Sequence, residues 1–573
     1  MPPRKPASRS ATEPAPAGGR ARTGARATAR TSGGARKTNG STPARRAGGS
    51  RRSALEAPAR RAPQKGKLKV VMVSAEMVPL AKVGGLADVI GSLSQVMSKA
   101  GHRTLVLMPH YRKLTLPPGF ELGRPISFPV LMDRGPETAT FTPVHWNHLA
   151  CEVYLVGGGG YFDRDGIYLD PATGLDYPDN ARRFIFFQKA VLEGLKTIDF
   201  RPDVLHLNDY QTGLIPAYLK LYYAEDSYYK TCATVYSIHN LGYQGLYPPE
   251  AVREAGIPES LFYPASPFEF WGRLNFMKAG VVYADLVTTV SERYASEITE
   301  SNEFGFGLEG VLKELGGRLR GILNGIDTSV WNPQTDRHIA QTFGPQNLHL
   351  KRRNKEALLR KMGLPPGRAD APLLGIISRL ADQKGFDLIE QISGDLMQRD
   401  LSLVVLGDGQ EKYRRLFEQL RAEHPHKVGF ECGFNDPLAH LIEAGSDMFL
   451  MPSRYEPCGL NQMYSMRYGT IPVVRATGGL ADTVKDFDPV RRTGTGFSFE
   501  ASTGEAFHDA IRRALDAYGD PDAWRGLMLA GMSQDFSWAA SAGRYVEAYE
   551  QALDLRRRQS FTSWLTGVVE VGV

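Results

Sequence analysis

The chain has 573 residues, of which 42% are apolar and 23% charged, and a formal net charge of +7. That length exceeds one hydrophobic core and predicts at least two domains, while no apolar run approaches the ~20 residues that span a bilayer. Four scattered cysteines, Cys151, Cys232, Cys432 and Cys458, form no C-x-x-C pair, which argues against a zinc site or a disulfide framework and fits a reducing compartment.

The charge is unevenly placed. Residues 1–67 carry 17 Lys and Arg against Glu13 and Glu56, which leaves the rest of the chain at −8. Residues 1–66 are rich in Ala, Arg, Gly, Pro, Ser and Thr and offer little to bury, so a disordered basic tail is expected. Three readings of it stand: a solvated extension that attracts polyanions nonspecifically, a plastid transit peptide, or a nucleic-acid binder. Specific nucleic-acid readout needs aromatic or helical elements that the tail lacks.

In chain order, "KLKVVMVSAEM" (67–77) reads as a buried strand. Apolar residues at 86, 89, 90, 93 and 97 then fall on one helix face, Gly101 ends that helix, and "RTLVLM" (103–108) is the next strand, completing a βαβ unit. "DVLHL" (203–207), "TVYSI" (234–238) and "DLVTTV" (285–290) continue the pattern. After "NGID" (324–327) it restarts with "LLGIIS" (373–378), "SLVVLG" (402–407), "KVGFE" (427–431), "DMFLM" (447–451) and "IPVVR" (471–475). Two Rossmann-like, doubly wound α/β domains are expected, over 67–325 and 326–535, facing a cleft at the carboxyl ends of their strands. A C-terminal helix over 536–560 is expected to pack back on the first domain; 561–573 remain unassigned.

The chemistry-bearing segments sit at those strand ends. Lys82, Gly84 and Gly85 ("KVGGL") lie between the first strand and its helix, where bare backbone N–H groups and the helix dipole suit an anion. A tight turn with a surface lysine is the plainer reading. Arg379 and Lys384 ("SRLADQKGF") place two cations at another strand end, suited to a diphosphate. "PSRYEPCGLNQMYSM" sets Glu456 before Gly459 and Leu460, a carboxylate for sugar hydroxyls beside a helix start. "ATGGLADTV" repeats the paired-glycine theme at Thr477 and Gly478. "HLNDYQTGL" and "SIHNLGYQG" supply Asp209, His239 and Asn240. Cys458 reads as a packed thiol. "DRD" (163–165) and "DFD" (486–488) match the D-x-D of metal-dependent sugar transferases, but such triplets are common by chance.

Together these segments, in this order over most of 67–550, resemble the bacterial glycogen synthases and plant starch synthases. The resemblance implies a GT-B glycosyltransferase fold and retaining transfer of glucose from ADP-glucose to the nonreducing end of glycogen or another α-1,4-glucan, with no metal and no cofactor. It implies that Lys82, Gly84 and Gly85 lie near the donor, and that Arg379 and Lys384 meet the diphosphate. Asp209 and His239 then border the reacting glucose, Glu456 faces it, and Gly459 and Leu460 lie at the phosphate, with Asn324 ("LNGID") also on the donor side. Asn240, Cys458, Thr477 and Gly478 fall in the matching segments and complete the expected substrate set. "DYPDNARRF" (176–184) resembles a segment lining the cleft. Asn461 stands where the family often has threonine, and Tyr464 fills the second position of the retaining E-x7-E pattern. A cytoplasmic bacterial enzyme is expected, or a plastid one if the tail is a transit peptide. The alternatives are an ADP-glucose-dependent transferase with a small acceptor such as glucose 1-phosphate, a noncatalytic glucan-binding protein, and a phosphorylase with a pyridoxal cofactor.

Overall fold

The computed structural model describes residues 66–146 and 149–570, with backbone only beyond residue 559. The expected basic tail lies outside the described residues, apart from Gly66, as do residues 571–573.

Thirteen strands belong to the first half: β1 Lys69–Val73, β2 Arg103–Pro109, β3 Glu121–Leu122, β4 Ile126–Met132, β5 Gly135–His145, β6 Glu152–Gly158, β7 Val204–Asn208, β8 Ala233–Ile238, β9 Leu246–Tyr247, β10 Glu269–Phe270, β11 Arg273–Asn275, β12 Leu286–Thr289 and β13 Leu319–Gly321. Ten of them form one sheet in the order β13-β12-β8-β7-β1-β2-β6-β5-β3, with β4 also on β5. The pairings from β13 through to β6 are parallel, and those involving β5 are antiparallel. β1, buried on both faces from Val70 to Val73, needs the continuous apolar run that marks it in sequence. The antiparallel flank shows alternation instead, as in β4 with Phe128, Val130 and Met132 inward. β9, β10 and β11 form a separate small sheet.

The second half is a six-stranded, all-parallel sheet in the order β16-β15-β14-β17-β18-β19, from β14 Leu373–Ile377, β15 Ser402–Gly407, β16 Val428–Cys432, β17 Met448–Met451, β18 Ile471–Arg475 and β19 Phe497–Phe499. Strand order reverses direction at β14, where β15 and β17 flank it, and ligands of such sheets bind outside a reversal of this kind.

The chain passes between the halves twice, and the passages touch: the Ile326 N–H donates to the Phe536 carbonyl at 2.8 Å. The last helix, Trp538–Glu570, returns to the first half. Its Trp538, Tyr545 and Tyr549 join the first domain's core, and the Tyr549 hydroxyl meets His206 Nδ1 at 2.9 Å.

Candidate active site

Most of the expected site residues follow the carboxyl end of a strand. Asp209 comes directly after β7 and His239 directly after β8; Asn324 is three residues past β13. Arg379 follows β14, the 452–460 loop follows β17, and Thr477 follows β18. Two contacts bring the sets together: the Arg379 guanidinium lies over the Tyr243 ring at 5.7 Å, and the Phe306 and Tyr455 rings meet at 5.3 Å.

On the first-domain side, Asp209 has φ +55°, a left-handed backbone held by its neighbours. Its Oδ1 accepts the His239 N–H at 2.7 Å and the Asn240 N–H at 3.4 Å. Burial nevertheless pushes its carboxyl up to about 7, the two N–H groups and the nearby Glu76 charge acting in opposite senses. His239 is pushed down to about 3 by burial, so its ring is neutral. Its tautomer follows from the network: Asn208 Nδ2 donates to the Val73 and His206 carbonyls, so Asn208 Oδ1 accepts from His239 Nε2–H at 2.9 Å. That leaves Nδ1 as the acceptor.

The paired-glycine loop at 84–85 is already answered by a carboxylate. Glu76 Oε2 accepts the Val83 N–H at 2.5 Å and the Gly84 N–H at 3.0 Å, and its Oε1 accepts the Tyr168 hydroxyl at 2.6 Å. Burial raises the Glu76 carboxyl. Lys82 pairs with Asp88 at 2.8 Å on the exposed side. A Cβ at Gly84 would meet nothing within 4 Å, and one at Gly85 would touch only the Leu460 side chain, at 3.5 Å. The loop is therefore open, and it abuts the second domain's helix start.

On the second-domain side, Glu456 is buried, and its Oε2 accepts from Lys384 Nζ at 2.5 Å and from the Ser453 hydroxyl at 3.0 Å. Arg379 is exposed and has no carboxylate at ion-pair distance among the described residues. Gly459 has φ +68° and leads through Leu460 into the Asn461–Arg467 helix, where Asn461 Nδ2 donates to the Ile377 carbonyl. The Cys458 thiol is buried, receives hydrogen bonds from Asn324 and is pushed up to about 12 by burial, so it is no nucleophile. Asn324 Oδ1 is buried without a partner. Tyr464 is buried in a stack with Trp331, ring centroids 3.9 Å apart, and does no carboxylate's work.

Thr477 and Gly478 differ from the expectation that they touch substrate. Both are buried, and their donors are taken by Glu297 of the first domain: Thr477 Oγ1 at 3.1 Å and the Gly478 N–H at 3.0 Å from Oε2. The exchange is reciprocal, because Asp482 Oδ2 accepts the Arg293 N–H at 3.0 Å in the first turn of the Glu292–Glu300 helix. Each helix start thus receives a carboxylate from the other domain. Glu297, hidden in an ordinary amphipathic helix, carries no sequence signal; Glu76, in "VSAEM", carries almost none.

The D-x-D segments pair with cations on the surface: Asp163 and Asp165 with Arg112 and Lys113, Asp486 and Asp488 with Arg513 and Arg491. Asn180 and Arg183 of "DYPDNARRF" start the Asn180–Thr197 helix, with Arg183 fully buried on the Tyr161 carbonyl and Asn180 Oδ1. Among the described residues no helix is long and apolar enough to cross a membrane.

Comparison with known proteins gives the family and the fold. The starch synthase catalytic domain family matches residues 69–314, and the group 1 glycosyl transferases match 365–525. The glycogen synthases of Moorella thermoacetica and Koribacter versatilis are 46% and 45% identical, over 86% and 85% of this chain and 99% of each relative. The catalytic domain of Arabidopsis thaliana starch synthase IV, solved with ADP and acarbose, superposes with a TM-score of 0.79 at 32% identity, covering 85% of this chain and all of that one. The chain belongs to the glycogen and starch synthase family and is a glucan-synthesising glycosyltransferase of the two-domain GT-B fold.

Proposed function

We propose that the enzyme transfers glucose from ADP-glucose to the nonreducing end of an α-1,4-glucan with retention, the second domain (326–535) holding the donor and the first (67–325) the acceptor. The observation that carries this reading is one exposed cation, Arg379, at the reversal point of the second sheet, beside the Lys384–Glu456 pair and in contact across the cleft with Tyr243. A nucleoside diphosphate leaves carrying negative charge. Arg379 offers it a planar fork, and Lys384, held by Glu456, adds a fixed point charge where that charge develops. Glu456 keeps Oε1 for a sugar hydroxyl, and Asn324 Oδ1 supplies a second buried acceptor.

As the glycosidic bond lengthens, the glucose anomeric carbon gains positive charge. The Asp209 carboxylate, once ionised, and the neutral His239 ring, with Nδ1 as acceptor, favour it. The same-face route fits these residues: the acceptor hydroxyl adds to the anomeric carbon as the diphosphate leaves, and a departing phosphate oxygen takes the hydroxyl's proton. It calls for no protein nucleophile, and the Cys458 thiol is protonated and buried. A bacterial enzyme of this kind works in the cytoplasm.

The test is incorporation of labelled glucose from ADP-glucose against UDP-glucose, with glycogen and glucose 1-phosphate supplied separately and each repeated with a chelator. Preferential labelling of glycogen from ADP-glucose, unaffected by the chelator, is expected. Labelling of glucose 1-phosphate alone would overturn the acceptor, and preference for UDP-glucose the donor.

A further inference from the structure

Arg379 stands exposed at the carboxyl end of β14, and what its guanidinium meets is an aromatic face of the other domain, the Tyr243 ring at 5.7 Å. The contrast with its neighbour is chemical. Lys384 is held by the Glu456 carboxylate, which offsets part of its charge. A carboxylate on Arg379 would occupy the N–H groups that a diphosphate needs. An aromatic face does not: the cation rests on the ring's negative face, and the donors along the edge of the guanidinium plane stay free.

The ring comes from a fixed turn. Asn240 closes it twice, its Oδ1 accepting the Gly242 N–H at 3.0 Å and its carbonyl the Tyr243 N–H at 3.2 Å. The same turn meets the second domain at another point, where the Tyr455 hydroxyl stands so near that a Cβ on Gly242 would lie 2.8 Å from it. Tyr455 packs in turn on Phe306 of the first domain, ring centroids 5.3 Å apart. Its carbonyl accepts Gln383 Nε2 at 3.2 Å, within the 379–384 segment that carries both cations. Hydrogen bonds therefore set the turn, and packing sets where it stands against the Arg379 loop. Tyr243 itself remains 50% exposed, so its ring does little for the core.

We propose that Tyr243 is a positioning residue for glucosyl transfer: its ring face, supplied by the first domain, orients the Arg379 guanidinium toward the donor's diphosphate. This rests on the reading of Arg379 as the diphosphate's cation. A long exposed side chain otherwise samples many rotamers, and it must give up that freedom before its fork meets two phosphate oxygens together. A guanidinium already laid on a ring loses less, and it stands ready where charge develops as the glycosidic bond breaks. The face of the ring does this, and the phenol hydroxyl is not needed.

The test is a double-mutant cycle in the full chain, read by kcat with ADP-glucose and glycogen. Tyr243→Leu keeps bulk but loses the aromatic face, so kcat should fall about threefold to tenfold, with melting temperature and glycogen KM unchanged. Tyr243→Phe should keep wild-type kcat. In an Arg379→Ala background, Tyr243→Leu should change kcat by less than about twofold, because the group it acts through is gone. An equal loss in both backgrounds would overturn the proposal, as would wild-type kcat in Tyr243→Leu beside a strongly impaired Arg379→Ala. A rise confined to the glycogen KM would also overturn it, making Tyr243 an acceptor contact. Wild-type kcat in Arg379→Ala itself would instead remove the donor reading, and the role of Tyr243 with it.

Discussion

At Gly84 the backbone N–H donates to Glu76, eight residues upstream in the same domain; at Gly478 it donates to Glu297, from the other domain. Both glycines belong to a GG-L-A-D segment at a helix start after a strand, yet the glycines serve opposite needs. Around Gly84 there is room for a side chain that is not there. Around Gly478 and Gly479 there is none, because added Cβ atoms would overlap the carbonyl oxygens of Glu456 and Cys458. The first pair keeps a space open at the cleft; the second lets the 476–479 turn close behind the Glu456 loop. What separates them is the surroundings, not the segment.

The sharpest way to break this contrast is Gly478→Ala. It combines a left-handed backbone, φ +45°, with a main-chain overlap, so a loss of roughly 2–5 kcal/mol is expected, a large part of an ordinary stability margin. Glu297→Ala tests the other half of the contact by stranding the buried donors of Thr477 and Gly478, at about 1–3 kcal/mol each. Denaturant melts of both variants measure it. Wild-type stability in either would mean that the 476–479 turn is not held as described.

If the protein's own carboxylates answer the N–H groups of both loops, the diphosphate's charge falls to the cations. Arg379→Ala and Lys384→Ala should each lower kcat about 10²–10³-fold, by analogy with losing one preorganised donor. Arg379→Lys should also be damaging, because a point charge cannot reproduce the fork. Near-normal kcat in both alanine variants would refute the assignment. Lys384→Ala also leaves the buried Glu456 without its cation, with only the Ser453 hydroxyl on it, so its donor KM should shift as well, whereas Arg379, which has no carboxylate partner among the described residues, carries no such second effect.

Much of this was legible in the residues. The near-continuous apolar runs of β1, β14, β15 and β17 mark themselves, because parallel strands are buried on both faces; β7 and β8 are as buried but carry His206, Asn208, Thr234 and Ser237 among their apolar residues. Their carboxyl ends then locate Asp209, His239, Arg379 and Glu456. The antiparallel flank from β3 to β5 was not read, since alternating "ISFPVLM" with proline inside resembles a loop. The β10–β11 hairpin lacks an Asn-Gly or Asp-Gly signal, its turn being Trp-Gly. Glu76 and Glu297 stayed invisible for a different reason: what a carboxylate caps is settled by tertiary contact, and no local pattern records it. The donors of Thr477 and Gly478, which the segment alone offers to a ligand, are met here by Glu297 of the other domain.

The titration of Asp209 sharpens the contrast from the acceptor side. Its folded value, about 7, lies above the ordinary ~3.9 of an aspartate. Between about pH 4 and 7 the native state thus holds a proton that the unfolded chain has lost. The stability contribution is full below that window and is lost as pH rises through it. Activity should run the other way, because the ionised carboxylate is the form that favours a positive anomeric carbon. kcat/KM is expected to rise through about pH 7 in the wild type, and Asp209→Asn should be slower and lack that rise. A flat wild-type profile between pH 5.5 and 8 would remove Asp209 from the mechanism.

The smallest expected effect on folding is Gly84→Ala, and it bears most directly on what the first loop is for. The backbone there is extended, φ −145° and ψ −167°, which any residue adopts, and the added Cβ meets no atom. The Glu76 hydrogen bond uses the main-chain N–H and survives. Stability should therefore move by no more than about 0.5 kcal/mol, against several for Gly478→Ala. If the open space exists so that a donor phosphate can approach bare backbone, the methyl group must act there instead, raising the KM for ADP-glucose while leaving that for glycogen unchanged. A variant with wild-type stability and wild-type donor KM would show that Gly84 is only a turn residue, and that the room beside it serves no ligand.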